Sequence, residues 1–147
     1  NMSNPAFEFE HVHIISENPK AAADWYAGML GADITFEREV RGAPQIGVEL
    51  GGMMILIRGR RPGENSVSTK PMRDIEDYSS HDEWGTDHFG YIYRGDLTAF
   101  CDEVRAEEAT LAVEPWEFSP GRLLCYISAP DNVNIELIQT EPADTYR

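Results

Sequence analysis

The chain has 147 residues, which is enough for one ordinary domain that buries its core without disulfide or metal staples. It carries 26 acidic and 12 basic residues, and the resulting formal charge of −14 argues against nucleic acid, phosphate-rich ligands and anionic membranes as general partners. It contains 2 cysteines, no apolar run of membrane-spanning length and no apolar leader at residues 1–5, so the composition favours a soluble cytoplasmic protein.

The first half of the chain is predicted to contain a strand, a helix and three further strands. Residues 7–15 alternate apolar and polar side chains, which predicts a strand whose His11 and His13 share one face. An imidazole pair on one face can bind a metal ion, although a strand histidine also serves as a hydrogen-bonded core or rim residue. A helix is predicted over residues 19–30, with Asn18 as its cap. The three strands that follow are residues 34–36, 45–50 and 53–57.

The second half repeats this order after a polar segment. Residues 59–85 predict a long loop, and loops of this length are usually functional or linkers, so we expect this one to join two halves and lie near the site. Residues 86–93 predict a strand with His88 near its beginning, and Asp96 is predicted to cap a helix that ends near residue 106. Three strands complete this half, over residues 111–113, 122–127 and 133–138.

Repeated order at a fixed period indicates an internal duplication. His88 follows His11 by 77 residues, and Glu136 follows Leu56 by 80, so the two halves superpose with a short insertion. The prediction is one α+β domain over residues 1–147, built of two βαβββ modules that form a partly closed mixed-sheet cleft. Its parts are module one at about residues 7–58, the linker loop at about residues 59–85 and module two at about residues 86–139. Such a cleft can gather His11, His88 and Glu136 although they are far apart in sequence.

Four segments of the chain resemble the vicinal oxygen chelate superfamily, which includes glyoxalase, extradiol dioxygenases, methylmalonyl-CoA epimerase, the fosfomycin-resistance thiol transferases and bleomycin-binding proteins. The segments are Glu-His-Val-His-Ile at 10–14, Trp-Tyr-Ala-Gly-Met-Leu-Gly at 25–31, Asp-His-Phe-Gly-Tyr at 87–91 and the run at 128–137 that ends in Ile-Glu-Leu. The resemblance extends over nearly the whole chain, from about residue 7 to about residue 139.

This resemblance implies a metal site on the first and last strands of each module. The corresponding positions here are His11, Leu56, His88 and Glu136. Leucine cannot bind a metal, so the chain departs from the four-ligand pattern of glyoxalase and the epimerase. The remaining two histidines and one carboxylate resemble the set of the extradiol dioxygenases, which leaves positions open on a non-haem Fe(II) ion. The fosfomycin transferases place the same set around manganese. The implied cofactor is a divalent metal ion, Fe(II) first, then Mn, Ni, Co or Zn.

Three further side chains are candidates for catalytic roles. His13 shares the face of His11 and can orient substrate or carry a proton, or it can simply be hydrogen-bonded by a neighbouring strand. Tyr126 occupies the position of a pocket tyrosine in the fosfomycin transferases, and its phenol can hold a substrate oxygen. Glu49 corresponds approximately to the base of the epimerase, although a surface carboxylate is the simpler interpretation.

The resemblance therefore implies a metal-dependent enzyme that acts on a small substrate with vicinal oxygens. The first expectation is dioxygenase-like chemistry, and a glyoxalase- or epimerase-like isomerase or lyase with Glu49 as base is the alternative. A metal-free ligand-binding resistance protein of the bleomycin type is the alternative from another class. A fosfomycin transferase is less favoured, because basic residues for a phosphonate are few in so acidic a chain. Superfamily chains of this size commonly pair, so a homodimer is expected.

Overall fold

The computed structural model describes residues 4–66 and 84–142. The chain divides into two compact units, Asn1–Val67 and Ser68–Arg147, and their boundary falls within the predicted loop of residues 59–85. Most of that loop, together with the last five residues of the chain, lies outside the described residues. Within the described ranges, no helix is long and apolar enough to cross a membrane.

Unit 1 consists of one helix and one four-stranded sheet. Its elements are β1 (His11–Ile15), α1 (Pro19–Leu30), β2 (Asp33–Val40), β3 (Ala43–Leu50) and β4 (Met53–Arg58). The strand order is β1-β4-β3-β2, in which β1 runs parallel to β4 and the other neighbours are antiparallel. The sheet is therefore mixed, and the helical connection between β1 and β2 allows β1 to pair with the last strand of the unit.

Local signals set both ends of α1. The Asn18 side-chain oxygen accepts a hydrogen bond from the Ala21 backbone N–H at 3.1 Å, and Pro19 occupies the first helical position. Gly31 follows the last turn with a φ of 72°, and its N–H donates to the Ala27 carbonyl oxygen at 3.1 Å. The predicted helix of residues 19–30 is confirmed at both ends.

The sheet of unit 1 has one buried face and one partly exposed face. Side chains alternate between the two faces, and one alternate set is buried with α1: Ile14, Ile46, Val48, Ile55 and Ile57. The buried side of α1 contributes Ala22, Ala23 and Tyr26 to this core. His11, His13, Leu56 and Glu49 therefore project from the opposite face of the sheet.

Unit 2 repeats the architecture of unit 1. Its elements are β5 (Phe89–Ile92), α2 (Leu97–Ala106), β6 (Thr110–Ser119), β7 (Arg122–Ala129) and β8 (Val133–Gln139), with a short 3-10 turn (Pro130–Asn132) before β8. The strand order is β5-β8-β7-β6, with β5 parallel to β8 and the other pairs antiparallel. The Asp96 side chain caps α2 by accepting from the Ala99 N–H at 3.1 Å. The predicted α+β fold of two βαβββ modules is confirmed.

Several strand predictions were wrong in extent. The strand predicted at residues 34–36 extends over Asp33–Val40, and the strand predicted at residues 86–93 is limited to Phe89–Ile92. The first strand begins at His11 rather than at residue 7, because its partner β4 begins at Met53 and the ladder ends with the pair of His11 and Met54. Phe7 and Phe9, outside the ladder, are 82% and 71% exposed. The strand predicted at residues 111–113 instead extends over Thr110–Ser119, and register shifts on both sides of Pro115 accommodate a residue that cannot donate to a ladder.

Candidate functional site

Unit 2 brings His88 and Glu136 together. Glu136 lies on β8, where it is paired with Gly90 of β5 and with Tyr126 of β7. His88 immediately precedes β5 and lies two residues before Gly90, so its side chain projects from the same face as that of Glu136. The His88 Nε2 atom is 3.6 Å from Glu136 Oε1, and the two side chains are 24% and 17% exposed. Nitrogen and carboxylate oxygen thus converge at a half-buried position.

Asp87 orients the His88 ring. His88 Nδ1–H donates a hydrogen bond to Asp87 Oδ2 at 2.6 Å. With the proton on Nδ1, Nε2 presents its lone pair on the side of the ring that faces Glu136. Histidines that bind metals usually donate their other ring N–H to a carboxylate or carbonyl in this way. The donor set therefore fits a divalent ion. Sequence reasoning did not assign this role to Asp87.

Gly90 leaves the space that the Glu136 side chain uses. A Cβ atom at position 90 would lie 3.1 Å from the Glu136 carbonyl oxygen, 3.3 Å from Glu136 Cβ and 3.6 Å from Glu136 Oε1. The first two distances are tighter than ordinary van der Waals contacts, and the carbonyl belongs to a paired strand. Gly90 was also missed from sequence, because its importance depends on which residue β8 places opposite it.

Tyr126 packs against the histidine. Its ring centroid is 4.8 Å from that of His88, with an interplanar angle of 43°, and the residue is 9% exposed. Two residues further along β7, Ser128 projects from the same face, and its buried hydroxyl has no hydrogen-bond partner among the described residues. Unit 2 thus places the Tyr126 ring against His88, with the Ser128 hydroxyl further along the same face of β7.

In unit 1, His11 and His13 project from the face of the sheet opposite α1. Their ring centroids are 6.1 Å apart, with an interplanar angle of 69°. The His11 ring nitrogen Nδ1 contacts the Glu10 carboxylate, so in each unit the histidine pairs with the acidic residue that precedes it. This acidic-His dipeptide is the sequence signal that could have identified Asp87.

The strand registers of the two units match at the predicted positions. In unit 1 His13 is paired with Leu56, and in unit 2 Gly90 is paired with Glu136. His11 and His88 each lie two residues before the first member of these pairs. The predicted correspondence of Leu56 with Glu136 is therefore the correspondence that the ladders produce. His13, however, fills the position that is glycine in unit 2.

Glu49 lies in the same transverse row of the sheet as His11. Glu49 of β3 is paired with Met54 of β4, and Met54 is paired with His11 of β1. Directly opposed residues share a face, so the carboxylate and the imidazole project in the same direction from strands two places apart, roughly 10 Å. Glu49 is exposed, as a surface carboxylate or an accessible base would be.

The surroundings of His13 favour its neutral form. Partial burial, together with the positive charges of Arg58, His11 and Arg61, lowers the pKa of His13 from its ordinary value of 6.5. A neutral imidazole can accept a proton or a hydrogen bond at neutral pH.

The described ranges contain no group of three or more His, Cys, Asp and Glu side chains close enough to hold a metal ion. The structure places His88 and Glu136 together in unit 2, and it places His11, His13 and Glu49 on one sheet face in unit 1. The ligand trio of His11, His88 and Glu136 and the catalytic roles of His13, Glu49 and Tyr126 stay predictions.

The fold and the His–carboxylate pair define a class of α+β proteins built from two βαβββ modules. A comparison with protein families matches residues 8–137 to the Glyoxalase/Bleomycin resistance protein/Dioxygenase superfamily. The chain belongs to this superfamily, and the predicted resemblance is confirmed. A comparison with curated protein sequences finds no match.

Solved structures share the fold at low sequence identity. A glyoxalase family protein from Bacillus cereus is 15% identical with a TM-score of 0.73, covering 93% of this chain and 96% of its own. Lactoylglutathione lyase from Agrobacterium tumefaciens is 15% identical with a TM-score of 0.62 and the same coverages of 93% and 96%. The fosfomycin resistance protein FosX from Listeria monocytogenes, complexed with Mn(II) and sulfate, is 12% identical with a TM-score of 0.60, covering 90% and 91%.

Proposed function

We propose that the chain is a metal-dependent enzyme that acts on a small substrate with two vicinal oxygens. His88 and Glu136 hold the divalent ion from unit 2, and His11 is the third ligand. The observation that carries the proposal is the 3.6 Å approach of His88 Nε2 to Glu136 Oε1, with Asp87 fixing the ring. FosX, a protein of the same fold, is complexed with Mn(II), which supports a divalent metal in this superfamily.

The first expectation within this class is non-haem Fe(II) dioxygenase-like chemistry. Two histidines and one carboxylate leave coordination positions free, and a divalent ion held by them supplies a Lewis acid or, as Fe(II), a centre for oxygen chemistry. Tyr126 packs on the His88 ring, which supports a role for this residue beside the substrate. His13, whose pKa is lowered, is suited to accept a proton from a substrate hydroxyl.

The row that contains Glu49 and His11 favours a second candidate function. An exposed carboxylate on the His11 face could remove a proton from the carbon beside a substrate carbonyl, as an isomerase or lyase requires. In that case Mn, Ni, Co or Zn replaces Fe(II), because no oxygen activation is needed. In either case we propose a homodimer and a small-molecule substrate, as is common in this superfamily.

Elemental analysis tests the proposal. The parent chain is purified anaerobically without chelator, beside His11→Gln, His88→Gln and Glu136→Gln variants. Glu103→Gln, which changes an exposed carboxylate on α2 of the same unit, is the matched control. We expect near-stoichiometric metal in the parent and the control and a large loss in the three variants.

The identity of the bound metal determines which class of substrates is assayed next. Iron directs the search to catechols with oxygen, whereas manganese, nickel, cobalt or zinc directs it to isomerase and lyase substrates. If neither the purified nor the reconstituted parent holds metal, the enzyme proposal is wrong, and the bleomycin-type ligand-binding alternative is then favoured. Retention of metal by all three variants would contradict the ligand assignment.

A further inference from the structure

An acidic chain concentrates basic charge at one corner of unit 1. Arg58, Arg60 and Arg61 account for three of the chain's 12 basic residues within four positions. Arg58 is the last residue of β4, where it is paired with Ile15. It lies two residues after Leu56 and therefore projects from the same sheet face as His13. The negative net charge of the chain does not indicate this local cluster of arginines.

The arginines of this corner already bind one carboxylate, that of Glu64. Arg58 Nη1 donates to Glu64 Oε1 at 2.7 Å, and the Arg61 backbone N–H donates to the same oxygen at 2.6 Å. The Arg58 side chain is only 10% exposed, whereas that of Glu64 is 40% exposed. A buried guanidinium is thus fixed in place, while its carboxylate partner comes from an accessible side chain.

Two donors at the corner remain without an acceptor. The Nε atoms of Arg58 and Arg61 are both buried and have no hydrogen-bond partner among the described residues. A guanidinium has five N–H donors arranged to match an oxyanion. Arg58 Nη1 donates to Glu64 Oε1 and, at 3.2 Å, to the Gly59 carbonyl oxygen, which uses only part of that capacity. Buried donors on charged groups normally have acceptors, so this corner can accommodate more oxyanion than Glu64 supplies.

We propose that Arg58 and Arg61 form a subsite for an anionic group of the ligand, a carboxylate or a phosphoryl group, which replaces the carboxylate of Glu64. The inference deepens the proposed function: the substrate carries an acidic group in addition to its vicinal oxygens. His11 and Ile15, the partner of Arg58, are four residues apart on β1, about 13 Å along the strand. The arginine side chains extend over part of that length, so a small acidic molecule can reach both positions.

Titration with inorganic phosphate and, separately, with acetate tests the subsite. The measurement follows the arginine Nε–H resonances of the nitrogen-15-labelled chain in EDTA at constant ionic strength. We expect saturable shifts of the Arg58 and Arg61 resonances, and the more tightly bound anion identifies the preferred group. Arg61→Gln is expected to weaken binding about tenfold, the typical effect of losing a charge-assisted hydrogen bond. Glu64→Gln, which removes the internal competitor, is expected to tighten it.

Arg60→Gln is the matched control, because it removes the same charge from an exposed neighbour. If Arg60→Gln and Arg61→Gln weaken anion binding equally, the effect comes from the loss of one positive charge and not from a specific site. That result would overturn the proposal. So would the absence of saturable shifts for both anions in Glu64→Gln, a variant that leaves both arginines in place. Because the titration is done in EDTA, its result is independent of the metal analysis of the Glu136 variant, and either proposal can fail without the other.

Discussion

At the scale of single residues, the missing side chain of Gly90 leaves room for the Glu136 side chain. We expect Gly90→Ala to lower metal affinity about tenfold or more, the range typical of changes that displace a ligand from outside the coordination shell. The physical reason is the added Cβ, which would lie 3.1 Å from the Glu136 carbonyl oxygen and 3.3 Å from its Cβ. Metal titration of the purified variant measures the change.

Gly28→Ala is the control for that substitution. Gly28 lies in the last turn of α1, and an added Cβ there would meet nothing within 4 Å. Alanine in a helix interior is favoured over glycine by about 0.5–1 kcal/mol, so this variant should gain stability and keep its metal affinity. Unchanged metal affinity in Gly90→Ala would contradict the role of the glycine.

The residue scale also shows the limit of inference from sequence. His11, His88 and Glu136 were predicted from their positions in a repeated pattern, and Tyr126 from the resemblance to the fosfomycin transferases. Asp87 and Gly90 were not, because one acts through a hydrogen bond to a ring and the other through the absence of a side chain. The role of Gly90 depends on the alignment of β5 with β8, whereas the acidic-His dipeptide at 87–88 could have indicated Asp87.

At the scale of elements, the Arg58–Glu64 contact ties the end of β4 to the segment that follows it. Hydrogen bonds from Arg58 and from the Arg61 backbone N–H hold the pKa of Glu64 below its ordinary value of 4.5. A carboxylate with a lowered folded-state pKa stabilises the fold above its unfolded pKa, and that contribution is lost as pH falls through the lowered value. We expect Glu64→Gln to remove this part of the acid sensitivity.

Urea unfolding of the parent and Glu64→Gln at a series of pH values below and above 4.5 measures the difference. The free energy of unfolding of the parent should fall more steeply towards acid than that of the variant. Glu103→Gln controls for the loss of one exposed carboxylate. If the free energy of unfolding of Glu103→Gln depends on pH as weakly as that of Glu64→Gln, Glu64 has no specific role. Because Glu64 is exposed, we expect a modest effect.

Helices and strands differ in how well their limits could be predicted. The limits of α1 follow from Asn18, Pro19 and Gly31, which act on their own neighbours in the chain. The start of β1 depends on where its partner β4 begins, about forty residues later in the chain. The length of β6 depends on its pairing with β7, which continues past Pro115 through register shifts. Capping is local, whereas a strand ends where its partner ends.

At the scale of the whole molecule, metal binding should stabilise the chain against unfolding. A ligand that binds only the native state adds about 2.7 kcal/mol when its free concentration is roughly 100-fold above its dissociation constant. We expect the metal identified by elemental analysis to raise the thermal midpoint of the parent and of Glu103→Gln but not that of Glu136→Gln. Equal stabilisation of Glu136→Gln would indicate binding elsewhere on this acidic surface.

The acidic composition illustrates the difference between a global and a local property. The chain as a whole has a formal charge of −14. Locally, however, Arg58 and Arg61 place positive charge beside His13. Electrostatic recognition depends on the charges within a few ångströms of a group, since more distant exposed charges are screened. The expectation that basic residues for an anionic ligand are scarce therefore did not anticipate this corner.

The sequence by itself determined the family, the two-module order, both helices with their N-terminal caps and the correspondence of Leu56 with Glu136. These features depend on periodicity, local capping and motif spacing, all of which are properties of neighbouring residues. Only the tertiary structure decided the strand limits, the orientation of His88 by Asp87, the room left by Gly90 and the carboxylate held at Arg58. Side-chain approach across paired strands depends on register and packing, which many distant residues set together.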